Sequence, residues 1–118
     1  MRFPKSSIST IYVIITAALQ LFAMDPAGAY DWYVDARIMV VEPDYIPNSI
    51  ALQIDQNAGT CSSGQFLNYY PQGSTATDKA NNINAVLSSL ITGLSTQRTI
   101  RIFGNNSGCV VTNLWMLR

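Results

Sequence analysis

The pattern of apolar and polar positions divides the chain into two parts. A basic start is followed by an apolar stretch at residues 8–23 and by Ala27-Gly28-Ala29, a small-residue cleavage pattern. This order is typical of a secretory signal peptide. The alternative, an uncleaved membrane anchor, is disfavoured because polar residues interrupt the stretch and it is shorter than the roughly 20 apolar residues of a membrane span. We predict a signal peptide at residues 1–29 and a single domain at residues 30–118.

Strands are predicted in the second part where apolar and polar residues alternate. The clearest case is residues 50–54, where Ile50, Leu52 and Ile54 are the apolar positions. Residues 30–35 are expected to be an aromatic and acidic lead-in rather than a strand. The predicted strands cover residues 38–41, 50–54, 65–70, 100–103 and 109–117, and the last two form a hairpin around residues 104–108.

One segment follows the period of a helix. Between residues 77 and 95 the apolar residues recur every three or four positions, which places them on one face of an amphipathic helix. Thr75 or Thr77 is expected to cap its start. The domain is therefore predicted to be mostly β with one helix, an α+β fold.

The opposite side of this helix is polar but almost uncharged. A helix side that faces water in a monomer usually carries Glu and Lys. We therefore predict that this side meets neighbouring copies or lines a polar channel, the alternative being a charge-poor surface without a partner. The candidate interface residues are Asn81, Asn84, Ser88 and Thr92.

The two cysteines of the chain, Cys61 and Cys109, both follow the predicted signal peptide. In an exported domain of this size a disulfide is the expected state, and two free buried thiols are the alternative. The predicted disulfide and signal peptide together indicate a secreted protein, located in the periplasm or outside the cell.

Charge argues against binding to nucleic acid. Removal of residues 1–29 takes away Arg2, Lys5 and Asp25, which leaves 5 basic and 6 acidic residues and a net charge of −1. Such a chain lacks the basic surface that phosphate backbones or anionic membranes attract.

The residue inventory also argues against catalysis. The chain has no histidine, which removes the usual general base, the Ser-His-Asp and Cys-His systems and the commonest zinc ligand. No nucleotide-binding glycine motif is present. A pair of carboxylates of the glycosidase type remains as the catalytic alternative. It would come from Asp31, Asp35, Glu42, Asp44, Asp55 and Asp78. We predict no enzyme activity, no cofactor and no metal.

Binding is better supported than catalysis. Tyrosine rings combine an apolar face with a hydrogen-bonding tip, which suits stacking on sugar rings or burial against a protein. Tyr45 and Tyr70 lie beside prolines in loop-like sequence and are predicted to be exposed. With the amides of Asn68 and Gln72 they are the candidate glycan-binding residues. The core is expected to contain Phe66, Phe103 and Trp115.

Three short motifs add a family resemblance. Asp35-Ala36-Arg37 and residues 95–102 resemble the corresponding segments of subtilase-cytotoxin-like B subunits, and residues 104–107 resemble a turn of cholera-type B subunits. The order of strands, helix and hairpin is also similar to that of these pentameric bacterial toxins, including the typhoid-toxin-like ones. The resemblance implies an OB-like small β-barrel of about five strands, with one helix at the centre of a homopentamer that binds cell-surface glycans.

The same resemblance implies a separate catalytic A subunit as a partner. The leading hypothesis is therefore a secreted, non-catalytic, carbohydrate-binding B subunit that forms a ring. The alternative is a monomeric exported protein-interaction or inhibitor domain that uses the same aromatic residues against a protein partner.

Overall fold

The computed structural model describes residues 30–118, and the predicted signal peptide lies outside the described residues. The described domain contains six strands, one α-helix and a short 3₁₀ turn. In chain order these are β1 (Trp32–Ala36), β2 (Ile38–Glu42), β3 (Ile50–Ile54), β4 (Leu67–Tyr69), α1 (Ala76–Thr96), β5 (Ile100–Asn105), the 3₁₀ turn (Ser107–Cys109) and β6 (Val110–Met116). Within this domain no helix is long and apolar enough to cross a membrane.

The six strands form one mixed sheet in the order β1-β5-β6-β4-β3-β2. β4 and β6 pair in parallel, and the other neighbours are antiparallel. The two end strands, β1 and β2, are separated in the chain by Arg37 alone, so the ends of the sheet approach each other at this residue. The sheet is curled into a half-barrel with one helix, which confirms the predicted α+β small-barrel class.

Hydrogen bonds hold the bend between β1 and β2. The backbone N–H of Arg37 donates to Oδ1 of Asp55 at 2.8 Å, and the backbone N–H of Asp55 donates to the Arg37 carbonyl at 3.2 Å. These bonds satisfy the polar backbone groups of the interrupted strand. They also fix the turn of the chain that starts the curl of the sheet.

The helix packs its apolar face against the concave side of the sheet. Ile83 and Leu90 are fully buried with the inward residues of β3 and β5. Oγ1 of Thr75 accepts a hydrogen bond from the backbone N–H of Asp78 at 3.0 Å. Of the two predicted capping residues, Thr75 is therefore the one that caps the helix. A side chain at Gly93 would collide with Ile100, so the helix approaches β5 closely at this glycine.

The strand β1 was not among the predicted strands. Residues 30–35 were expected to be a lead-in, but Trp32–Ala36 pairs in register with β5. Trp32 and Ala36 are buried while Tyr33 and Asp35 are exposed, so the period of two is present but is carried by aromatic and charged residues. The third predicted strand is also shorter than expected, since β4 covers only Leu67–Tyr69.

Two of the three aromatic residues expected in the core lie on the surface. Phe103 is only 6% exposed, but it lies on the convex side, where the rings of Tyr30 and Trp115 pack on it, and not in the main core cluster. Phe66 and Trp115 are exposed. Phe66 precedes the short strand β4, and Trp115 lies on the convex side of β6, where no further layer covers it within the described domain.

A disulfide joins Cys61 and Cys109, as predicted. It connects the loop after β3 to the 3₁₀ turn before β6, and Cys61 is buried. A disulfide of this kind points to an oxidising environment, outside the cell or in the periplasm.

Candidate functional site

The outward side of α1 carries no charged side chain beyond its start. The last charged residue of the helix is Lys79. Ile91, three positions after Ser88 and therefore on its flank, is 47% exposed. The structure places the four predicted interface residues together on this exposed side, which we call the neutral helix face: Asn81, Asn84, Ser88 and Thr92.

Hydroxyl groups along the neutral helix face donate to the helix itself. The hydroxyl of Ser88 donates to the Asn84 carbonyl at 3.1 Å, and that of Thr92 donates to the Ser88 carbonyl at 2.9 Å. Thr96 continues the series with a bond to the Thr92 carbonyl at 2.7 Å. Because these donors are already used, another surface can cover the face without leaving hydroxyl donors unpaired.

Parts of the sheet keep an unpaired strand edge within the described domain. β6 pairs with β4 only through Val110 and Val111, and from Asn113 onward it pairs with β5 alone. β1 and β2 are the two end strands, and each is paired on one side only, with β5 and β3 respectively. Unpaired edges accept a further strand from another chain. Exposed apolar side chains accompany the edges of β2 and β6, namely Met39, Val40, Trp115 and Met116.

The predicted glycan-binding residues are spread over several places. Tyr45, in the turn after β2, and Tyr70, directly after β4, are 56% and 51% exposed, as predicted. Asn68 lies inside β4, where it pairs with Ala51 and Val110. Of the four candidates, Tyr70 alone lines the cleft at the start of α1, which we call the loop cleft. Its lining residues are Pro47, Asn48, Tyr70, Pro71, Ala76, Lys79 and Ala80.

Gln72, the fourth candidate, lines a second cleft between α1 and the unpaired part of β6. Its Nε2 donates to the Thr112 carbonyl at 2.6 Å. Thr112 is the extra residue of a β-bulge, since the register of β5 and β6 shifts by one between Phe103 and Gly104. Its buried hydroxyl has no hydrogen-bond partner. The cleft therefore combines an unpaired strand edge with an unsatisfied hydroxyl group.

Sequence reasoning did not single out Asn82, which lies between the two clefts. Its Oδ1 accepts the hydroxyl of Tyr69 at 2.7 Å and the backbone N–H of Gln72 at 2.9 Å. Asn82 thereby ties α1 to the chain that leaves β4. Burial raises the pKa of Tyr69, whose neutral hydroxyl donates this hydrogen bond. The sequence signal that could have identified Asn82 is its position as an amide residue beside the apolar face of an amphipathic helix.

An ion pair on the convex side of the sheet was also missed. Nε and Nη2 of Arg101 donate to the two carboxylate oxygens of Asp35 at 2.7 and 3.0 Å. These hydrogen bonds lower the pKa of Asp35, and the positive charge of Arg101 adds to the effect. The two residues are 66 positions apart, so local spacing gives no sign of the pair.

Several of the carboxylates considered for catalysis bind other parts of the protein. Oδ2 of Asp31 accepts the backbone N–H of Asn106 at 3.0 Å, and Asp35 and Asp55 are engaged as described. Within residues 30–118 no three His, Cys, Asp or Glu side chains are grouped as metal ligands would be.

Comparison of the chain with protein-family models, curated proteins and solved structures gives no match.

Proposed function

We propose that this chain is a secreted, non-catalytic carbohydrate-binding subunit that assembles into a ring of identical copies, like the B subunits of pentameric bacterial toxins. The neutral helix face carries this proposal. From Asn81 to Thr96 the helix has no charged residue, whereas solvated helix faces usually carry Glu and Lys. Hydroxyl groups that are satisfied within the helix lower the cost of covering this face with a second copy.

The unpaired strand edges support a ring rather than a simple dimer. The edge of β2 differs from the edge of residues 113–116 in β6, so pairing of one with the other joins copies head to tail. Head-to-tail contacts give a closed ring when the rotation between copies closes. Such a contact would cover Met39 and Val40 beside β2 and Met116 beside β6, which are exposed in the single copy. Five copies, with α1 around the axis, are what the family resemblance implies.

The loop cleft supports glycan binding. A cavity of about 410 Å³ lies beside Tyr70, within the size range of small-molecule sites. The ring of Tyr70 can stack on a sugar, and the Asn48 amide and the Lys79 ammonium can bind its hydroxyl groups. Tyr45 is a further exposed ring for a longer glycan. The chemistry of such an assembly would reside in a separate A subunit, which fits the absence of histidine from this chain.

Export supports the same interpretation. The predicted signal peptide precedes the domain, and the disulfide between Cys61 and Cys109 suits an oxidising compartment. A subunit that binds glycans on host cells has to work outside the producing cell.

Assembly is tested by placing charge on the neutral helix face. Ser88→Glu with Thr92→Glu would bring several like charges together in a ring, so we expect the wild type to be a ring and this variant to be a monomer. The matched control, Gln56→Glu with Thr60→Glu, adds the same charge to the exposed loop after β3 and should leave the ring intact. Size-exclusion chromatography with light scattering measures the mass of each.

A wild type that stays monomeric at micromolar concentrations would contradict the ring and favour the alternative, a monomeric protein-interaction or inhibitor domain. Binding is measured separately on a glycan array. We expect binding by the wild type and weaker binding by Tyr70→Ala, and a blank array with folded protein would remove the carbohydrate-binding proposal.

A further inference from the structure

The convex side of the sheet carries an ordered grid of planar side chains. Strand register places three side chains in a row across β1, β5 and β6. Three more side chains form a second row, two positions further along each strand. Aromatic rings, a carboxylate, a guanidinium and an amide fill all six positions, without any aliphatic side chain. We call this set the planar face, and its rows are Tyr33–Phe103–Asn113 and Asp35–Arg101–Trp115.

Contacts between these side chains hold them in place before any ligand arrives. The ring centroid of Phe103 lies 4.8 Å from that of Trp115 and 5.9 Å from that of Tyr33. The guanidinium of Arg101 lies 5.2 Å from the Tyr33 ring centroid and is bidentate to Asp35. Tyr33 and Trp115 are nevertheless 59% and 53% exposed. A surface ordered in this way loses little side-chain entropy on binding.

We propose that the planar face is a second ligand site and that it binds an uncharged oligosaccharide. A sugar ring has an apolar C–H face, which stacks on exposed rings such as Tyr33 and Trp115. Its hydroxyl groups need donors and acceptors. Arg101 and Asp35 keep unused N–H groups and lone pairs after their bidentate bonds, and the Asn113 amide offers both kinds of group.

The balanced charge of the planar face favours a neutral sugar over a nucleic acid or a protein partner. Arg101 is the one cation of the planar face, and its charge is balanced by Asp35. A single-stranded nucleic acid needs a positive groove along its backbone, which this face does not offer. A protein partner would remove the ion pair from water at a cost in free energy, whereas an oligosaccharide can replace that water with its own hydroxyl groups.

The planar face is separate from the loop cleft and needs no ring, so the two proposals can fail separately. The test is titration of the folded protein with neutral tetrasaccharides of glucose, galactose and N-acetylglucosamine, followed by tryptophan fluorescence and calorimetry. Trp32 is buried, so a fluorescence change reports mainly on Trp115. We expect saturable binding of at least one sugar, with the fluorescence change lost in Trp115→Phe.

Three variants locate the site, and each is first checked for native unfolding behaviour. Tyr33→Ala and Trp115→Ala should each weaken binding about tenfold or more, since loss of a central aromatic contact typically costs that much. Arg101→Lys keeps the charge but not the two-pronged geometry and should also weaken binding. The matched control is Phe66→Ala, which removes an exposed ring that belongs to neither proposed site and should bind normally.

Three results would overturn the planar face as a sugar site. The first is no response to any of the tetrasaccharides. The second is tighter binding of an oligothymidylate than of every sugar. The third is sugar binding that is lost in Tyr70→Ala but unchanged in Tyr33→Ala and Trp115→Ala. The last result would leave the proposed function standing. A monomer that binds sugar through Trp115 would support the planar face and contradict the ring.

Discussion

Replacing Cys61 and Cys109 together by alanine removes the covalent link between the loop after β3 and the turn before β6. The native contacts around this link do not depend on the sulfur atoms alone. Ala58 and Cys61 exchange two backbone hydrogen bonds of 2.8 and 2.9 Å, which remain possible with alanine. We therefore expect the substitution to change the unfolded chain more than the folded one.

The magnitude follows from the length of the closed loop. The two cysteines are 48 positions apart, for which the chain-entropy model gives a stabilisation of about 4 kcal/mol. Small domains typically have an unfolding free energy of about 5–15 kcal/mol, so the variant should be close to the limit of stability. Guanidinium unfolding should show this loss together with a larger m value, because an unfolded chain without the link is more expanded.

The wild type unfolded in the presence of a reductant is the matched comparison. It should show the same loss of stability as the double variant, and the reductant should have no effect on the variant itself. A difference below about 1 kcal/mol between variant and wild type would refute the view that the link stabilises the domain through loop closure.

Two further predictions concern the core and Tyr69, whose hydroxyl donates to Asn82. Leu90→Ala should lower the unfolding free energy by about 3 kcal/mol, because the side chain is fully buried. Denaturant unfolding measures this loss. A loss below about 1 kcal/mol would contradict the central position of Leu90 in the core. Burial raises the pKa of Tyr69, so the neutral phenol contributes stability that is complete below about pH 10 and declines as the pH rises toward the folded pKa. Tyr69→Phe should show a shallower alkaline decline of thermal stability, and an equally steep decline would count against the raised pKa.

Local periodicity was enough to predict most of the elements. The helix was predicted at residues 77–95 and is observed at Ala76–Thr96, because its apolar residues recur at the helical period and a threonine caps its start. β3 was likewise marked by alternation over Ile50–Ile54. The pairing of Cys61 with Cys109 needed only the count of two cysteines and a predicted exported domain. These signals are local or compositional, so they are readable without the fold.

The strand β1 could not be assigned in this way. Its buried positions are Trp32 and Ala36, and its outward positions are a tyrosine and an aspartate, so the alternation is hidden by an aromatic and acidic composition. Pairing with β5 makes the segment a strand, and that partner lies more than sixty positions later in the chain. Strand propensity depends on the neighbours across the sheet, which no window of sequence contains.

The sequence by itself therefore determined the class of fold, the helix with its uncharged side and the disulfide. The tertiary structure decided which surface residues lie next to each other. Strand register placed Asp35 against Arg101 and aligned Tyr33 with Phe103, and the curl of the sheet left Trp115 exposed although its strand is apolar on both sides. The physical reason is that periodicity specifies which way a side chain points, while its neighbours are set by contacts between distant strands.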